Sequence, residues 1–286
     1  MPDPAEFEER QDLSESERAR MSEGTRLKAA LVHEVIREEG EEELARSVSA
    51  LAWSGLAAGL SMGFSLVVEG LLHHHLPGAE WRPLIASFGY TTGFVIVVLG
   101  RQQLFTENTL TGVIPVLTRR DRATSLALAR LWSVVLLANL VGAGLFAAFA
   151  AGAPIFEPNL HQDFLAIGER AAAGSLTVLF VKAVLAGWLI GLMVWLLPGA
   201  GSARLIVILL ITYIVALGGF SHVIAGSVDV LYLVFSGDKS FLSYVLDFLI
   251  PVLFGNIVGG SALVAMLNHA QVRREVPTAA RTAEGR

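Results

Sequence analysis

His222 and Lys182 stand inside long apolar runs of a 286-residue chain in which only 16% of residues are charged. An imidazole can donate, accept or relay a proton near neutral pH, unlike the other side chains around it. An ionisable group within a membrane segment costs about 2.5–3.5 kcal/mol on insertion scales, so each marks a functional candidate. His222 belongs to Gly218-Gly219-Phe220-Ser221-His222-Val223-Ile224-Ala225-Gly226-Ser227, a helix-breaking patch in the run from Leu205 to Phe235. A second patch, Gly100-Arg101-Gln102-Gln103-Leu104-Phe105-Thr106-Glu107-Asn108, interrupts the run from Leu84 to Leu117. Polar, irregular backbone at membrane depth survives only if it is buried in protein or lines a water-filled cavity. Two such breaks point to a substrate pathway. His222 is its ionisable group; Arg101 either adds charge to it or pairs with Glu107.

The elements that position these residues follow from composition. The chain is 53% hydrophobic, with apolar blocks of about 20 residues or more, the length that spans a bilayer. Six spans are expected: Val48–Leu72, Leu84–Leu117 (broken), Leu126–Ala151, Ala171–Leu197, Arg204–Phe235 (broken) and Phe241–Leu267. Residues 1–47 form a polar tail; its stretch 26–47 carries Leu27, Leu31, Val35 and Ile36 at helical spacing, an amphipathic helix at the membrane surface or against the cytoplasmic face of the protein, or else a solvated one. Residues 48–268 are the pore domain and 269–286 a polar tail. The tail 1–47 has no apolar core of a signal peptide. His73-His74-His75 read as a loop at an interface, since consecutive residues on a helix diverge too far to share a metal. Residues 152–170 read as a longer polar loop. Arg119, Arg120, Arg122, Arg204, Arg273 and Arg274 gather on one side, which places both termini in the cytoplasm. With no cysteine and no basic stripe, disulfides, thiol chemistry and nucleic-acid binding fall away.

Spans three and six repeat a pattern. Ala138-Asn139-Leu140-Val141-Gly142 resembles Gly255-Asn256-Ile257-Val258-Gly259, and Asn256 follows Asn139 by 117 residues. The breaks repeat at nearly that offset, Phe220 following Phe105 by 115 residues. Residues 48–151 and 171–268 are then copies of three spans each. Three is odd, so the copies run through the membrane in opposite directions, an inverted repeat with its breaks at the shared interface. Asn139 and Asn256 are expected to satisfy backbone groups freed by the breaks.

These residues carry a resemblance. Leu104-Phe105-Thr106-Glu107-Asn108 resembles the Leu-Phe-Thr-Gly-Asn motif of the formate/nitrite transporter family, and Gly219-Phe220-Ser221-His222 its Gly-Phe-Glu-His motif. Phe180-Val181-Lys182 followed by Gly187-Trp188-Leu189 is similar to the family's fourth-span motif, and Gly255-Asn256-Ile257-Val258-Gly259-Gly260 to its sixth-span motif. The Thr-Glu-Asn and Phe-Ser-His variants look most like the YfdC-type branch. The resemblance implies an all-α, aquaporin-like protomer in a homopentamer of the bacterial inner membrane, conducting small monovalent anions without a cofactor. It makes Leu104, Phe105 and Thr106 the loop that narrows the pore, faced by His222 with Phe220 and Ser221 beside it, and Lys182 the family's cation. The family carries Asn, Glu and Asn where this chain has Gly187, Ser221 and Gly226.

A bare anion in an apolar constriction costs several kcal/mol, whereas its protonated acid is far cheaper. Fixed positive charge can therefore attract the anion, and a proton let it pass. Lys182 would raise the local anion concentration and favour protonation; it could instead snorkel to the interface. His222 would relay the proton, or simply bond a neighbouring carbonyl. Asp229 and Glu107, also within spans, read as helix caps or partners of Arg101, and Asn108 as a secondary pore residue. A pore for a neutral solute or water is the alternative. A non-conducting scaffold, or an intramembrane hydrolase using His222 and Asp229, is more remote, because no Gly-x-Ser-x-Gly or His-Glu-x-x-His motif is present.

Overall fold

The computed structural model describes residues 28–272, and every regular element among them is helical. A short helix, α1 (Ala29–Ala45), precedes the first span, α2 (Val48–His75). The second span is divided into α3 (Arg82–Leu99), α4 (Phe105–Thr111) and α5 (Val113–Arg119), with a second, softer bend at Gly112. Then come α6 (Arg122–Gly152), α7 (Pro158–Ala172) and α8 (Leu176–Leu196). The fifth span is divided into α9 (Arg204–Leu217) and α10 (Val223–Ser236). The last, α11 (Phe241–Val272), loosens into π turns at Tyr244–Leu249 and Val258–Met266. Among the described residues five helices are long and apolar enough to cross a membrane, and α9 and α10 are shorter apolar pieces.

Three sequence expectations are corrected here. Residues 158–172 are a helix, not a loop. Leu160, Phe164, Ile167 and Gly168 form one buried stripe at helical spacing, and this stripe packs on α10 and α2. His73, His74 and His75 finish α2 rather than forming a loop; His73 and His74 each place Nδ1 on one oxygen of Asp163, at 2.7 and 3.0 Å. The stripe that docks α1 is also turned from the expected one. Val32, Ile36, Gly40 and Leu44 are buried, while Leu31 is exposed. The expected tail segments 1–27 and 273–286 lie outside the described residues.

The two halves pack alike. Helix α2 crosses α6 as α8 crosses α11. Small residues permit the close approach. A Cβ on Gly59 would lie 2.2 Å from the carbonyl oxygen of Asn139, and one on Gly187 would lie 2.3 Å from that of Asn256. Gly187 is therefore a helix-crossing residue, and an asparagine there would force α8 off α11. Gly187→Ala should lower the thermal unfolding temperature in detergent and reduce the assembled fraction. The cost should be about 1–3 kcal/mol for a methyl driven into backbone.

Helix α1 is tied to the far end of the chain by His33, whose Nε2 lies 2.9 Å from Nδ1 of His269. Burial holds the His33 imidazole below its ordinary range. The undocked histidine then binds a proton more readily than the docked one, so docking weakens as pH falls through about 6.5 and below. Hydrogen exchange over residues 29–45 should accelerate on acidification, and His33→Gln should blunt that change.

Candidate functional site

The centre of the protomer is made by the two breaks, and they are near copies. The chain turns out of α3 with Gly100 N donating to Ile96 O at 2.8 Å and Gln102 N to Val97 O at 3.0 Å. It turns out of α9 with Gly218 N donating to Ile214 O at 2.9 Å and Phe220 N to Val215 O at 3.0 Å. Arg101 and Gly219 follow in the left-handed region, at φ 50° and 58°. Leu104 (φ −106°, ψ 126°) and His222 (φ −99°, ψ 128°) then precede the next half-helices as N-caps.

One asparagine fastens each break. Asn139 Oδ1 accepts from Phe105 N at 2.9 Å, and its Nδ2 donates to Gln103 O and Gly55 O, both at 2.8 Å. Asn256 Oδ1 accepts from Val223 N at 2.8 Å, and its Nδ2 donates to Ala183 O at 2.8 Å and Ser221 O at 2.9 Å. Both asparagines are wholly buried. This matching corrects the register of the repeat: Leu104 answers to His222 and Phe105 to Val223, not Phe105 to Phe220. The coincidence of two phenylalanines at the breaks hid a shift of three residues.

His222 is fixed at both nitrogens. Nδ1 accepts from Ile224 N at 3.3 Å and Ala225 N at 3.2 Å, so the imidazole caps its own helix. With two amide donors aimed at Nδ1, the ring proton belongs on Nε2, which lies 2.7 Å from Oγ1 of Thr106. The Thr106 hydroxyl accepts there and keeps its own proton free to donate. The ring of Phe94 stands edge-on to His222 at 4.9 Å.

Two cavities flank this contact. One, of about 100 Å³, is lined by His222, Ser221, Phe220, Asp229, Glu69, Tyr90 and Arg170 among others. The other, of about 370 Å³, lies on the side of α1 and includes Gln102, Gln103, Glu107, Asn108, Arg101 and Arg204. Leu104 and Thr106 are buried between them and line neither. Phe105 is turned away, its ring 5.8 Å from that of Trp132 on α6. Lys182 lines neither cavity and is half-buried on α8 without an ion pair to a described residue. Arg101 does not pair with Glu107; its guanidinium lies 3.8 Å from Glu39 of α1. Asn108 Nδ2 donates to Gln103 Oε1 at 3.0 Å, which holds that glutamine on the cavity wall.

A model of the formate/nitrite transporter family matches residues 30–270. The chain belongs to that family. It is 43% identical over 249 residues to the inner membrane protein YfdC of Escherichia coli K12, covering 87% of this chain and 80% of that one. It is 26% identical over 241 residues to the formate channel FocA of Haemophilus influenzae, covering 74% and 83%. A solved pentameric formate channel with formate bound shares the fold at TM-score 0.64 and 21% identity, over 81% of this chain and 96% of that one. The fold is the aquaporin-like inverted repeat.

Within this family frame, sequence reading missed Glu69, Tyr90 and Arg170 of the smaller cavity. Glu69 is a carboxylate in the first span, paired at 2.9 Å with Arg170 at the cavity edge; a charge inside an apolar run was the available signal. Tyr90 carried no such signal, being an ordinary aromatic in an apolar run. Arg101 holds a conformation that costs an L-residue about 1–2 kcal/mol, where the other repeat uses glycine. Its contact with Glu39 is exposed and returns little. Arg101→Gly should therefore stabilise the protein by about 1 kcal/mol in thermal unfolding, while removing a positive charge from the wider cavity.

Proposed function

We propose that this chain is a channel or proton-linked transporter for small monovalent weak-acid anions of the formate or nitrite kind, which cross as the neutral acid. The observation that carries this reading is the 2.7 Å contact between His222 Nε2 and Thr106 Oγ1, which joins the two half-helix ends between two cavities. A neutral acid offers a carbonyl or nitroso oxygen to the free Thr106 proton. A bare anion meets a buried leucine, Leu104, and a phenylalanine, Phe94, and gains too little to offset its lost hydration. Half-helix α10 begins at this point, and its amide end favours negative charge in the approach. Lys182, off both cavities, acts in this reading only through its field. A solved structure that shares this fold is a pentameric formate channel, and we extend that assembly to this chain. Following the positive-inside rule, both termini and the wider cavity face the cytoplasm.

A second reading, a pore for a small neutral solute or water, has its own support. The smaller cavity holds Glu69 and Asp229 against Arg170, and the wider one Glu39, Glu42, Glu43 and Glu107 against Arg46, Arg101 and Arg204. Neither wall is predominantly cationic. Flux of formate, nitrite, acetate, hydrosulfide, chloride and urea into proteoliposomes across a pH series separates the two. Weak-acid flux rising with acidity, without chloride or urea flux, is expected; urea flux independent of pH would select the second. Thr106→Val should reduce weak-acid flux about tenfold, the loss of ~1.4 kcal/mol at the barrier.

A further inference from the structure

We propose that Asp229, not His222, exchanges the proton with the permeating weak acid; this rests on the function proposed above and names its acid-base group. His222 is poorly placed for the task. A proton added at Nδ1 would point at two amide N–H groups that the ring already caps, and Nε2 is held by Thr106. Taking up a second proton would uncap α10 at membrane depth, where the freed amides find no water.

Asp229 has the opposite situation. Helix α10 starts at Val223, after the break, so Asp229 lies about two turns into an uninterrupted helix that His222 caps. Both line the smaller cavity. Asp229 is only 7% exposed, and among the described residues no group hydrogen-bonds its carboxyl. The groups around it come from every packed element. Glu69 on α2 is engaged by Arg170 of α7 at 2.9 Å, Tyr90 comes from α3, and His222 from α10 itself. Helix α11 brings Phe248 to the wall and Tyr244, whose hydroxyl donates to Ser227. Helix α6 carries only Arg122 and Arg130 as ionisable residues, and Arg130 bonds the carbonyl of Leu44. Asp229 is thus the one carboxyl in this cavity without a bound cation.

The step balances simply. An anion enters past Arg170, and the O–H bond of protonated Asp229 breaks as an O–H bond forms on the anion. The neutral acid moves on to His222 and Thr106, and Asp229, now a carboxylate, regains a proton from the aqueous phase at the Arg170 mouth. Reverse passage runs the same step backwards.

The experiment is formate uptake into proteoliposomes under an imposed pH gradient, with wild type, Asp229→Asn and Asp229→Glu. Asp229→Asn should lose at least tenfold of the gradient-driven rate and flatten its pH profile, while keeping the wild-type elution volume. Asp229→Glu should recover both. Wild-type uptake with an unchanged rate and profile in Asp229→Asn overturns the proposal alone. No uptake of formate or nitrite by wild type overturns the proposed function and this inference with it. A second measurement reads the group itself: one protonated-carboxyl C=O band of the wild-type infrared spectrum should shift in Asp229→Glu and vanish in Asp229→Asn, and bands unchanged in both overturn the assignment.

Discussion

The structure depends on how two interrupted helices satisfy their backbone inside a membrane. An unsatisfied amide or carbonyl there costs several kcal/mol, and each interruption frees several. One buried asparagine per repeat answers this with three hydrogen bonds of 2.8–2.9 Å, one accepted and two donated. Each amide also reaches a carbonyl of a neighbouring span, Gly55 O on α2 or Ala183 O on α8. The clamp therefore fixes both the loop and the helix beside it. The positions of Leu104, Thr106 and His222 follow from it, because they are the residues on either side of the clamped turns.

The chemistry lies where the two copies differ. At equivalent caps one repeat has Leu104 and the other His222, so one break ends in a hydrocarbon and the other in an imidazole. At equivalent left-handed positions one repeat has a glycine and the other Arg101, which faces the wider cavity. Backbone symmetry made the passage, and side-chain asymmetry gave it polarity.

Much of this fold is legible in the sequence because the bilayer imposes strong rules. Span length, glycine-rich interruptions and the recurring Asn-x-x-Gly of α6 and α11 all have direct physical meaning. What was illegible depends on tertiary contact. The register of the repeat was read from two phenylalanines, yet Phe105 packs on Trp132 while Phe220 borders a cavity. Helix α7 was hidden because its buried stripe covers membrane helices from outside the span pattern. Lys182 draws a functional role from its charge within a span and from the fourth-span motif, whereas its side chain lines neither cavity. Gly187, seen as the loss of a polar group, is explained by the proximity of Asn256 backbone.

The asparagine clamps carry no formal charge. A transmembrane voltage pulls on charges at about 2.3 kcal/mol per elementary charge per 100 mV, and on an uncharged carboxamide it exerts almost nothing. Acidification likewise leaves an amide unchanged. The frame that holds the two breaks is therefore deaf to both components of the proton-motive force, and any response to them must arise in the ionisable residues that the frame holds still.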